Sequence, residues 1–155
     1  MGRPPFGFES VDHTADAAIR GWGRDLSELF ASMARGLFDV IAGTDSVRAV
    51  RARTIELRSE TIDELLHDWL EALNTLHQVH GELYRDFDVR VGDAALLEDS
   101  NAAGSGDLSL RARAIGERID PARHELRMEV KAVTWHGLSV RRTEEGYEAH
   151  VLFDI

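Results

Sequence analysis

The chain has 155 residues, with 28 acidic side chains against 18 basic ones and a formal net charge of −10. That length suits one domain able to bury about two-thirds of its unfolded surface. The acidic balance excludes a strong intrinsic grip on nucleic acid, which needs a basic footprint, and the lack of cysteine excludes a disulfide framework, a thiolate metal site and a cysteine nucleophile.

In chain order, "FGFESVDH" and "AAIRGWG" read as two short strands on either side of "DHTAD", residues Asp12 to Asp16. From Leu26 the apolar residues Leu29, Phe30, Met33, Leu37, Val40 and Ile41 recur at helical steps. Asp25 and Glu28 supply an N-cap and its capping-box partner, and Gly43 the stop. "TIELR" alternates as a strand. A second helix follows, started by Thr61 and Glu64, striped by Ile62, Leu65, Leu66, Trp69, Leu70, Leu73 and Leu76, and closed by Gly81. Both stripes are core faces, and His67, His77 and His80 fall at the surface or edge of the second. "FDVRV" and "LSLRARAIG" alternate with one wet face, separated by a flexible loop, "EDSNAAGSGD". "LRMEVKAVTWHGLSV" reads as one long strand or a bent pair, and "RRTEEGYEAHVLFDI" as a turn at Glu145-Gly146 leading into a final strand. The pattern predicts an α+β fold over residues 1–155: a single compact domain, a largely antiparallel β-sheet packed against two amphipathic helices.

No serine sits in a G-x-S-x-G turn, the single lysine, Lys131, belongs to no P-loop, and the seven histidines contain no H-E-x-x-H. Oxygen ligands remain. Asp12 and Asp16 lie at a strand junction, where an Asp also closes an Asx-turn. The chain end "AHVLFDI" is apolar to the last residue, as an anchored strand would be, and carries Asp154 beside the α-carboxylate of Ile155. If that strand pairs beside the N-terminal hairpin, three or four carboxyl groups meet, and their repulsion either raises their pKa values or recruits a hard divalent cation. The N-terminus lacks the apolar core of a secretory signal, and no apolar run approaches the ~20 residues of a membrane span. The expectation is a soluble cytoplasmic protein.

The segments "DHTADAAIRGWG", "DLSELFASMARGLFDVI", "IDELLHDWLEALNTL", "RHELRMEVKAVTWHGLSV" and the terminal "VLFDI", in this order and spacing, resemble the archease family along nearly the whole chain. The stretch from Leu97 to Asp107 looks like a local extension and touches none of these motifs. The resemblance implies a protein cofactor of an RtcB-type RNA ligase, acting in tRNA splicing and RNA repair by promoting guanylylation and multiple turnover, and not an enzyme itself. It further implies a metal site of Asp16, Asp154 and the terminal carboxylate of Ile155, for Ca²⁺, Mg²⁺ or Mn²⁺, with no catalytic residues. Asp12 and His13 stand as supporting residues. Lys131 matches the family's strand lysine, as a contact to the ligase or a phosphate, or as a salt-bridge partner of the acids. RNA and GTP would be met only through the ligase, and no membrane is involved. Two rivals use the same acids: a stand-alone carboxylate-metal phosphohydrolase with His13 or His136 as base, and a chaperone whose metal is structural.

Overall fold

A computed structural model describes residues 3–11, 16–93 and 108–155. Its elements are β1 (Gly7–Val11), β2 (Ala17–Gly23), α1 (Leu26–Ile41), β3 (Arg51–Ser59), α2 (Ile62–His80), β4 (Glu82–Asp93), β5 (Leu108–Arg118), β6 (Ala132–Val133), β7 (Ser139–Thr143) and β8 (Gly146–Asp154). The α+β class, the two helices and the antiparallel pairing are as expected, but the strands form two sheets instead of one. A five-stranded sheet runs β1-β2-β8-β6, with β7 also on β8, and a three-stranded sheet runs β3-β5-β4.

Helix α1 packs on both sheets, against β1, β2 and β8 on one side and β4 on the other, while α2 covers the three-stranded sheet and reaches β6. Their apolar stripes therefore meet in one core. Trp69 is fully buried and its indole N–H donates to the Phe30 carbonyl of α1 at 3.0 Å. Phe38 sits edge-on to Tyr84 and stacked with Phe87. Trp69→Ala would lose both the packing and that hydrogen bond, a loss of about 3–5 kcal/mol.

The helix starts are built as their sequences specify. Asp25 accepts the Glu28 N–H at 2.8 Å and Thr61 that of Glu64 at 3.2 Å. Glu28, however, reaches one residue past the N-cap, to the Arg24 N–H and guanidinium. Gly81 ends α2 at φ 63°, the left-handed conformation that favours glycine. Gly43 does not play that part for α1. The C-cap is Ala42 in an extended conformation, and the end of the helix is satisfied from elsewhere: the Arg127 N–H donates to the Ile41 carbonyl at 2.8 Å and Gly43 N–H to the Glu125 carbonyl at 2.8 Å.

That docking explains the other departure. The segment 126–140 is not one long strand, because residues 126–131 lie across the end of α1. Only Ala132–Val133 joins the sheet before a turn at residues 134–138, where Gly137 has φ 72°. Among the described residues, no helix is long and apolar enough to cross a membrane.

Candidate metal centre at the ends of two strands

The last strand does pair beside the N-terminal hairpin. β8 runs antiparallel to β2 from Tyr147 opposite Gly23 to Phe153 opposite Ala17. Just beyond that last pair come Asp16, in the bend that precedes β2, and Asp154, the last residue of β8. On the other edge of β8, Ala132 faces Asp154, and the Lys131 N–H donates to the Asp154 carbonyl at 2.7 Å. Residues 16, 131 and 154–155, distant in sequence, thus converge on one end of one sheet. Ile155 packs its side chain partly into the core, which anchors the chain end.

The approach of β6 is enforced by a polar row on α2. His67, Glu71, Asn74 and Gln78 follow at steps of four, three and four, and so share one helix face. Glu71 Oε1 accepts the Val133 N–H at 2.7 Å, and the His67 Nε2 lies 3.0 Å from the Val133 carbonyl. The amides of Asn74 and Gln78 both donate to the Val130 carbonyl, at 2.9 and 3.0 Å. These contacts hold Val130–Val133, and Lys131 with them, against the chain end. His67, expected at the edge, is half-buried and stacks on Trp135 at 4.0 Å. The period of this polar row was open to sequence reasoning, but only the structure shows what it holds.

Asp154 is exposed, and among the described residues no cationic side chain forms an ion pair with it. Asp16 is half-buried and borders a cavity of about 370 Å³ shared with Asp39 of α1, Arg127 and Met128. Asp39 was absent from the sequence reading. Its Oδ1 lies 3.4 Å from Arg127 Nη1, whose own position follows from the docking of residues 126–131. Lys131 is exposed and makes no ion pair among the described residues, so a salt bridge to the acids is not what places it. His136 lies on the exposed turn after β6, and among the described residues no hydrogen bond or ion pair joins its ring to Asp154 or Asp16. The structure does not bring it to the acids. Asp12 and His13 fall outside the described residues. Also among the described residues, no three His, Cys, Asp or Glu side chains gather as a metal-holding group.

The carboxylates that are deeply buried lie elsewhere, and sequence reasoning missed them. Glu82 is 1% exposed; Arg53 grips it with two bonds of 2.8 and 2.9 Å, and the Tyr84 hydroxyl donates to it at 2.7 Å. The Arg53 hydrogen bond, with that of Tyr84, outweighs burial and holds Glu82 down at about 2. Burial and the Glu82 carboxylate push the Tyr84 hydroxyl up. Glu117 is likewise held at about 2, first by Arg123, against burial, with help from the Arg48 N–H and His124. The His124 ring is fixed in one tautomer: Nδ1 accepts the Asp120 N–H at 2.8 Å, so Nε2 donates to Glu117 at 3.0 Å.

The fold is that of a small α+β protein of two antiparallel sheets, with Asp154 exposed at the end of one sheet and the Lys131 backbone bonded to it. The chain belongs to the archease family: the model of the Archease protein family (MTH1598/TM1083) matches residues 8–155. It is 36% identical over 139 residues to the protein archease of Pyrococcus abyssi, covering 90% of this chain and 91% of that one. With the protein archease of Methanopyrus kandleri it shares 36% identity over 148 residues, 96% of this chain and 99% of the other. The solution structure of Methanobacterium thermoautotrophicum protein 1598 has a TM-score of 0.81 at 35% identity and covers 96% of this chain and 99% of its own.

Proposed function

We propose that this chain is a metal-binding protein cofactor that promotes guanylylation and multiple turnover of an RtcB-type RNA ligase in tRNA splicing and RNA repair. What supports the metal site is the β2–β8 register, whose last pair, Ala17 opposite Phe153, leaves Asp16 and Asp154 as the next residue of each strand. The donors are all carboxylate oxygens, a set suited to Ca²⁺, Mg²⁺ or Mn²⁺ and unsuited to soft metals. The residues present therefore fit such an ion, with Asp16, Asp154 and the Ile155 carboxylate holding it. When bound, a hard cation supplies positive charge where charge moves onto a leaving pyrophosphate.

The chain's own residues do the rest. Asp16 and Asp154 fix the charge at the sheet end, the α2 row holds β6 beside it, and Lys131, exposed and uncommitted to an internal ion pair, is placed to meet the ligase or a phosphate. His136 and Trp135, exposed on the adjacent turn, extend that contact surface. GTP and the joined RNA ends are met through the ligase, and the protein shares the ligase's cytoplasmic compartment without catalysing a reaction alone. With a net charge of −10 it seeks a basic patch and associates faster at low salt.

The test is single-turnover guanylylation of the ligase with and without this protein. Wild type accelerates GMP loading, while Asp16→Ala and Lys131→Ala do so less, with unchanged circular dichroism. Equal loading rates at saturating protein would end this reading. Turnover of a phosphoester by the protein alone would favour the phosphohydrolase instead.

A further inference from the structure

The outward side of the three-stranded sheet carries a surface that the metal centre leaves unused. The central strand β5 exposes Arg111 and Arg113, and β4 exposes Arg90 directly opposite Arg111. The three arginines line one cleft of about 260 Å³ with Thr54 and Asp88. The buried acids elsewhere take arginines of their own, as Glu82 takes Arg53 and Glu117 takes Arg123. On this face Arg111 reaches only the exposed Glu56, at 3.3 Å, and among the described residues Arg90 and Arg113 have no ion-pair partner.

Like charges directly opposite on neighbouring strands destabilise a sheet. The Arg90–Arg111 pair bears that cost, relieved only in part by Glu56 beside Arg111 and by Asp88 opposite Arg113, and a local conflict of this kind is how a functional surface departs from a purely structural one. Guanidinium forks match phosphate oxygens bidentately. A protein partner would need an apolar or aromatic anchor at the centre of the contact. The neighbours among the described residues are Thr54, Glu56 and Asp88, and none of them is such an anchor. A phosphodiester strand needs none, because it binds by charge.

We propose that, beyond the RNA ends met through the ligase, this chain makes a weak contact of its own with RNA: the Arg90–Arg111–Arg113 face binds the phosphate backbone of a single strand. The choice of RNA over DNA rests on the ligase reading, whereas the phosphate chemistry rests on this face alone. With no aromatic side chain on which bases could stack, binding is independent of sequence, weak and sensitive to salt.

Fluorescence anisotropy of a short labelled single-stranded RNA, titrated with the full chain at low salt and without ligase, tests it. Wild type binds, and log K falls against log salt with a slope of about −2, for three phosphates at about 0.7 each. The triple variant Arg90→Gln, Arg111→Gln, Arg113→Gln binds about tenfold more weakly or worse. The triple Arg→Lys variant retains a good part of the affinity, which separates lost charge from lost folding. RNA-free guanylylation by the ligase is stimulated equally by the wild type and the Gln triple. Equal RNA binding by the wild type and the Gln triple overturns the proposal, as does no binding by wild type. Weakened ligase binding in the Gln triple with RNA binding intact also overturns it, and would make the face a protein dock. Failure of the wild type to stimulate the ligase would sink the ligase reading and leave the anisotropy result standing.

Discussion

Two sets of carboxylates in this molecule are handled in opposite ways. Glu82 and Glu117, at the paired ends of β4 and β5, are buried and come with their own cations, Arg53 and Arg123, in two-bonded grips. Asp154, at the end of β8, is exposed and has no cationic partner among the described residues, although a lysine backbone is bonded to its carbonyl. A buried acid must be neutralised by the fold itself or the fold does not form. An exposed acid such as Asp154 can await a cation from outside. The internally paired acids are therefore read as structural, and the strand-end acids as the site.

The largest effect should come from the structural set. Glu82→Ala leaves Arg53 and Tyr84 without their acceptor and should destabilise the protein by about 3–5 kcal/mol, read from denaturant melts, while the molecules that remain folded still stimulate the ligase. A loss of stimulation exceeding the loss of folded protein would erase the distinction. Asp154→Asn should do the reverse. Without a cation its stability stays near wild type, and at a hundredfold excess of cation over Kd it misses the gain of about 2.7 kcal/mol that binding gives the native protein. Titration calorimetry with Mn²⁺ checks the binding directly.

A smaller effect sharpens the role of the α2 row. Glu71→Ala leaves the Val133 N–H without its acceptor, a cost of about 1–2 kcal/mol, and stimulation should drop because Lys131 is no longer held in place. Unchanged stimulation would make the row a packing device only. The smallest effect is in acid. Glu82 and Glu117 are held at about 2 in the fold against an ordinary 4.5. Between those values the unfolded chain binds more protons, so stability rises with pH. The contribution is complete above about 4.5 and is lost as pH falls through about 2. Glu82→Gln should flatten part of that slope in acid melts, and an unchanged slope would contradict the assignment.

Much of the fold was legible because helical and strand periods are local properties. Asp25, Thr61 and Gly81 mark their helix ends through bonds spanning three or four residues. Gly43 misled because the end of α1 is satisfied by residues 125–128, a contact across more than eighty positions that no local pattern encodes. Of the long strand or bent pair expected over residues 126–140, the pair is what forms, as β6 and β7, but the same docking takes residues 126–131 out of it, and the division into two sheets is likewise a long-range outcome. At the candidate site, Asp16 and Asp154 are singled out by residue type and by the apolar run of the last strand, and what the structure adds is the pairing of β8 beside β2. Asp39 is not, because an acid on the wet face of a helix looks like any solvated residue until the packing of Arg127 beside it is seen. Nor are Glu82 and Glu117, since nothing near them in sequence announces that Arg53 and Arg123 will fold over them.

The central claim is that the chain end, with Asp16 and Asp154, holds a divalent cation. Each added strand residue moves a terminal charge by about 3.3 Å, more than a metal–oxygen distance of about 2.0–2.6 Å can absorb. Thermal melts with Mg²⁺, Mn²⁺ and Ca²⁺ should therefore be compared for the native chain and for one extended by a Gly-Ser tail after Ile155, with an N-terminal tag as control. The native and N-tagged proteins should gain stability from cation and the tailed protein should lose most of that gain. An equal gain in all three would contradict the claim and return DHTAD to a turn.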